Sequence, residues 1–126
     1  MREKGSRYAI VGSREFAHID LVRKFIKALP KGSIVISGGA RGVDKAAVKI
    51  AQEEGLETEE YPADWDRHGR AAGYIRNQTI IDRADFVAAF WDGASKGTKH
   101  SIDLAMKVGK PITIFRGPVD NPFEGT

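Results

Sequence analysis

The chain reads as an α/β three-layer sandwich: a five-stranded parallel sheet of order 3-2-1-4-5 with helices on both faces. Three observations predict it. Short apolar runs of strand type recur at Tyr8–Val11, Ser33–Ser37, Asp85–Trp91 and Ile112–Phe115. Segments with apolar residues at helical spacing lie between them. Loops rich in glycine and small hydroxyl residues follow three of the strands.

Each element can be justified in turn. Residues 1–6 are expected to be a disordered lead, and 7–116 a single domain. Tyr8-Ala-Ile-Val11 is the first strand, ended by Gly12-Ser13-Arg14. From Phe16 to Leu29 the residues Ile19, Val22, Ile26 and Leu29 share a helical face, and Pro30-Lys31-Gly32 stops the helix. The strand at 33–37 leads into Ser37-Gly38-Gly39-Ala40-Arg41-Gly42-Val43-Asp44. The next helix buries Val43, Ala46, Ala47, Ile50 and Ala51, with Gly55 near its C-terminal cap. Leu56–Tyr61 is charged and Glu-rich, which suits an edge strand. Pro62–Gly69 is expected to be a loop, and Ala71–Arg83 a third helix. After the apolar strand at 85–91 comes Asp92-Gly-Ala-Ser-Lys-Gly97, and Thr98 is the expected cap of a helix reaching Val108. Residues 112–115 form the last strand, and 117–126 a C-terminal tail with two prolines and two glycines. With this order the connections reverse beside strand 1, so strands 1 and 4 flank the crevice at the carboxyl edge where such sheets bind ligands.

Composition narrows the class. At 126 residues, 41% hydrophobic and 29% charged, the chain has the make-up of one globular domain. It has no apolar run long enough to span a membrane and no apolar segment of signal-peptide type, so a cytoplasmic protein is expected. Zero cysteines exclude disulfides and thiolate metal sites. His18, His68 and His100 lack metal-ligand spacing, and neither a metal nor a cofactor is expected. The net charge of +3 suits an anionic partner, nucleic acid included. Twenty basic residues against 17 acidic ones equally make an ordinary solvated surface.

The three loops at the carboxyl edge are Gly12-Ser13-Arg14, Ser37–Asp44 and Asp92–Thr98. Two of them run into helix N-termini, which expose unpaired N–H groups and the positive end of the helix dipole. Glycine lets backbone approach a ligand closely. Ser13 could hydrogen-bond a phosphate or ribose, and Arg14 and Arg41 could clamp an anion. Asp44, in the first helical turn, is either a dipole partner or a ribose acceptor. Gly97 and Thr98 make a second phosphate cradle. Neither G-x-x-x-x-G-K-[ST] nor G-x-G-x-x-G is present, so a P-loop nucleotidase and an ordinary NAD dehydrogenase are disfavoured. Trp65 reads as a plug under its loop, with base stacking as the alternative. Tyr74 and Trp91 read as core or interface residues, and Ile80, Leu104 and Val108 as candidates for either.

Gly12-Ser13-Arg14, Ser37–Asp44, Ile75-Arg76-Asn77-Gln78, Ala89–Gly93 and Gly97-Thr98, in this order and spacing, resemble the SLOG superfamily, above all its YspA/YpsA-related branch. The superfamily includes the Smf/DprA proteins and the lonely-guy enzymes. The resemblance spans about Tyr8 to Phe115. It implies a Rossmann-like domain, often a homodimer, that binds nucleotides or nucleotide-derived ligands. It also places Arg76 and Asn77 at the ligand. Gly12, Ser13, Arg14, Ser37, Gly38, Gly39, Arg41, Gly42, Asp44, Arg76, Asn77, Gly93, Gly97 and Thr98 are then the expected ligand-binding residues.

Lonely-guy enzymes carry P-G-G-x-G-T-x-x-E, whose glutamate serves cleavage of a nucleotide N-glycosidic bond. Here Asp92 stands at the proline, Ala94 at the second glycine and Ser101 at the glutamate. The phosphate-binding part survives and the acid does not, which favours binding or sensing of a nucleotide-like molecule. A phosphoribohydrolase using Asp92 as its carboxylate is the alternative. A single-stranded DNA binder is the third reading, disfavoured by the small net charge and by the lack of aromatics interleaved with basic residues.

Overall fold

A computed structural model describes residues 5–116. The strands are β1 (Arg7–Gly12), β2 (Ile34–Ser37), β3 (Glu57–Glu60), β4 (Phe86–Phe90) and β5 (Ile112–Phe115), all parallel, in the order β3-β2-β1-β4-β5. The helices are α1 (Ile19–Lys27), α2 (Val43–Glu53), α3 (Trp65–His68), α4 (Ala72–Arg83) and α5 (Lys96–Val108), with a 3-10 turn at Gly69–Ala71. The expected fold class is the observed one.

The layering follows from two-sided burial of the central strands. Alternate side chains of β1 point to opposite faces. Ile10 joins one apolar cluster with Val22 and Ile26 of α1 and Val43, Ala47 and Ile50 of α2. Ala9 and Val11 join the other with Ile80 and Ile81 of α4 and Ile102 and Ala105 of α5. The glutamate-rich β3 takes one edge, where its side chains reach water, and β5 takes the other.

Several boundaries differ from the expected ones. Helix α1 begins at Ile19 rather than Phe16, because the Phe16 N–H bonds the Ser13 carbonyl in a turn and its ring tucks against Phe90. The stretch expected as a loop at 62–69 contains α3, started by Asp64, whose carboxylate accepts from the Arg67 N–H at 3.1 Å. Helix α5 is capped by Ser95, not Thr98. The Asp92 carboxylate accepts from the Ala94 and Ser95 N–H groups, each at 2.8 Å, and this turn delivers Ser95 to the cap three residues earlier. Gly55, at φ 75°, follows the end of α2; its N–H bonds Gln52 and the Leu56 N–H bonds Ala51, closing the last turn.

Gly5 and Ser6, assigned to the lead, are placed: Gly5 N–H bonds the Gly32 carbonyl and Ser6 accepts from Ile34. The rest of the lead and the tail at 117–126 lie outside the described residues. Of the interface candidates, Ile80 is core, Leu104 packs against the second cluster, and Val108 is exposed. Among the described residues no helix is long and apolar enough to cross a membrane.

Candidate functional site

The carboxyl ends of β1, β2 and β4 open into one cleft of about 440 Å³. That is within the range of small-molecule sites. Its walls come from separate elements. Val11 and Gly12 end β1 and Arg14 follows it; Ala40 and Arg41 belong to the loop entering α2 and Asp44 to its first turn; Ser95, Gly97, Thr98 and Ser101 belong to the cap and start of α5. Trp65 of α3, Arg70 of the 3-10 turn, and Gly73, Tyr74, Arg76, Asn77 and Ile80 of α4 close the remaining side.

Glycines set the approach of the walls. A side chain at Gly12 would strike Val43, its Cβ falling 2.6 Å from that side chain, so α2 rests directly on the end of β1. Gly42 has φ 80°, and a Cβ there would meet the Arg14 carbonyl oxygen at 2.5 Å. The first and second loops therefore touch backbone to backbone. Gly38 is buried under Arg76 and Asp44.

Arg76 is the hinge of the polar network. Its Nη1 donates to the Gly38 carbonyl at 2.7 Å and its Nε to Asn77 Oδ1 at 3.1 Å. Asn77 is buried and reaches across to α5, with Nδ2 donating to the Gly97 carbonyl at 3.4 Å and to His100 Nδ1 at 3.2 Å. The ring of His100 packs 4.4 Å from that of Tyr74, and burial lowers its pKa. An acceptor role for Nδ1 fits the neutral imidazole.

Asp44 is the carboxylate in the cleft lining, and it is buried. Its Oδ2 accepts from the Ala40 N–H at 3.2 Å, which holds the loop closed. Ser37 Oγ donates to the Asp44 backbone carbonyl and accepts from the Gly39 N–H. Burial pushes the Asp44 carboxyl up to about 6, against the opposing pull of the Ala40 N–H and of the Arg76 charge. Arg14 and Arg41 are exposed at the rim.

Of the residues expected at the ligand, the cleft gathers Gly12, Arg14, Arg41, Asp44, Arg76, Asn77, Gly97 and Thr98. The others stand behind or beside it. Ser13 is fully buried; its Oγ accepts from the Asp92 N–H at 3.1 Å and meets Thr98 Oγ1 at 3.4 Å. It ties the first loop to the third. Ser37, Gly38, Gly39 and Gly42 shape the second loop from beneath. Gly93, at φ 86°, lies against the Arg116 guanidinium. Asp92 lies outside the cleft lining, and the N–H groups of Ser95 and Ala94 hold its pKa below the usual carboxylate range.

Arg70, Tyr74 and Ser101 join the lining without having been expected there, together with Ser95 of the third loop and Trp65, for which stacking on a base is the alternative reading. Trp65 is 61% exposed and Tyr74 53%, so neither is a plug or a core residue. Arg70, Gly73, Asn77 and Ile80 fall three or four apart, and that spacing could have marked one face toward the cleft.

Comparison with known proteins agrees with this architecture. The profile of the YspA, cpYpsA-related SLOG family matches residues 7–68. The Gene 61 protein of Mycobacterium phage D29 is 40% identical over 92 residues, covering 68% of this chain and 74% of that protein. Among solved structures, DNA processing protein A (DprA) from Streptococcus pneumoniae superposes with a TM-score of 0.75 at 22% identity, over 92% of this chain. The chain spans about half of that protein, 52%. DNA processing protein A from Helicobacter pylori, whose structure describes a single-stranded DNA binding mode, superposes with a TM-score of 0.64 at 24% identity, over 92% of this chain and 67% of that one. The family profile and the phage relative together place the chain: it belongs to the YspA, cpYpsA-related SLOG family.

Proposed function

We propose that the cleft binds a nucleotide or a nucleotide-derived small molecule. One observation carries this reading: four arginines, at 14, 41, 70 and 76, surround a single cleft of about 440 Å³ that also holds the start of α5. Arginine forks match phosphate geometry, and a helix N-terminus adds N–H donors and a favourable dipole. Arg76 is pre-set by Gly38 and Asn77, so little side-chain freedom is lost on binding. Cleavage of the ligand is not part of this reading, because Ser101 occupies the expected acid position and Asp92 is engaged with its own loop.

Isothermal titration with nucleoside monophosphates and NAD-type compounds tests the proposal. Arg41→Ala and Arg76→Ala should each weaken binding by about ten-fold or more, the scale of a lost charge-assisted hydrogen bond. Unchanged affinity in both variants would place the ligand elsewhere. Chromatography of the same mixtures for free base checks that no glycosidic bond is broken.

A second reading, binding of single-stranded DNA, gains from one observation. The fold sets exposed Trp65 and Tyr74 beside Arg70 and Arg76, the aromatic and basic combination used on single strands and missing from the linear pattern. Salt-dependent retention on a thymidine oligomer, abolished by Arg76→Ala, would favour it over the mononucleotide.

A further inference from the structure

The nucleotide reading leaves open where the base goes, and the following rests on that reading. We infer that the indole of Trp65, with Tyr74 lining the same cleft, is a stacking platform for the base of a mononucleotide whose phosphate lies among the cleft arginines.

The two rings are among the most exposed large apolar side chains of the described residues, and both line the cleft. A large apolar ring open to water forgoes burial, so an exposed pair beside a concave site points to a flat apolar partner. The rings differ in how they are held. Tyr74 packs its ring 4.4 Å from His100, which Asn77 holds by its Nδ1. Trp65 stands on α3 over Gly73; a Cβ on Gly73 would lie 3.6 Å from Trp65 Cη2, so the glycine leaves the indole clear of a neighbouring side chain on α4.

Charge fixes the orientation of the ligand. Arg14 and Arg41 stand on the loops after β1 and β2, and Arg76 carries its guanidinium from α4 onto the Gly38 carbonyl of the second loop, while Trp65 and Tyr74 stand on α3 and α4. An anion drawn to the loops leaves its apolar end to the α3–α4 wall. A base has a π-face for the indole, and the neighbouring Arg70 adds a cation that can lie over the same ring system. Free inorganic phosphate or a sugar phosphate would use the arginines and leave the platform bare.

The test compares adenosine 5′-monophosphate with ribose 5-phosphate, which lacks the base, on the native chain, Trp65→Ala and Trp65→Phe. The expected result is quenching of tryptophan fluorescence by adenosine 5′-monophosphate but not by ribose 5-phosphate. Trp65→Ala should lose about ten-fold or more in affinity for the nucleotide and nothing for the sugar phosphate, while Trp65→Phe keeps most of the affinity. Circular dichroism melts of the variants check that each is folded. Equal nucleotide affinity in the native chain and a folded Trp65→Ala overturns the platform and leaves the phosphate site standing. If the native chain takes neither probe, the nucleotide reading falls and the platform with it.

Discussion

At the residue scale the cleft turns on Asp44. A buried carboxylate is costly to ionise, and that cost makes its contribution to stability depend on pH. The carboxyl goes from 3.8 in its ordinary state to about 6 in the fold, so the native state holds the proton more tightly than the unfolded chain. Stability contributed by this group is therefore present below about pH 4 and is lost as the pH rises toward 6 and above. Asp44→Asn keeps an amide oxygen for the Ala40 N–H and removes the charge. It should stabilise the protein at pH 7.5 by up to about 3 kcal/mol and by almost nothing near pH 4. Calorimetric melts at the two pH values measure this; a stabilisation of equal size at both would show that ionisation is not its source. The charge retained at neutral pH also sits near Arg76, where it limits how strongly that side of the cleft attracts an anion.

At the element scale the contacts between loops matter more than any single turn. Gly12 and Gly42 let the loops after β1 and β2 meet through backbone, and Ser13 joins the first loop to the third. Gly12→Ala should cost about 1–3 kcal/mol by driving a methyl into Val43, read as a lower midpoint in urea with an unchanged slope. An unchanged midpoint would mean that α2 can ride outward without loss. The strands and the long helices were legible because burial on two faces leaves plain apolar runs and helical periods. The cleft was only half legible. Arg14, Arg41 and Thr98 could be named from their loops and Arg76 only from the family resemblance, but Ser13 could not be told from a ligand residue, since whether a hydroxyl faces a cleft or a neighbouring loop depends on contacts far away in sequence. Ser95 took the cap of α5 from Thr98 because the Asp92 turn decided the register. Trp65 read as a plug because α3 is one short turn, too brief to show a period, and its exposure is set by how α4 docks.

At the scale of the whole molecule, the half of the chain nearest the N-terminus does not make half of the sheet's core. β1 is central and needs β4 on its open side, with Tyr8 opposite Phe86 and Gly12 opposite Phe90. A fragment of residues 7–68 keeps β1, β2 and β3 but loses α4 and α5, which cover Ala9, Val11 and Ile36. It should show no cooperative melt and should aggregate, checked by calorimetry and light scattering, whereas the full chain melts in one transition. A cooperative melt of the fragment would show that β4 is dispensable to the core. The same central position of β1 governs how the protein is made. The Arg7 N–H waits for the Asp85 carboxylate 78 positions downstream. At the pace of translation, several seconds separate the emergence of the first strand from that of its neighbour. Throughout that interval a nascent chain carries an apolar strand with an open edge, and the cleft, walled by α4 and the start of α5, cannot exist before that edge is closed.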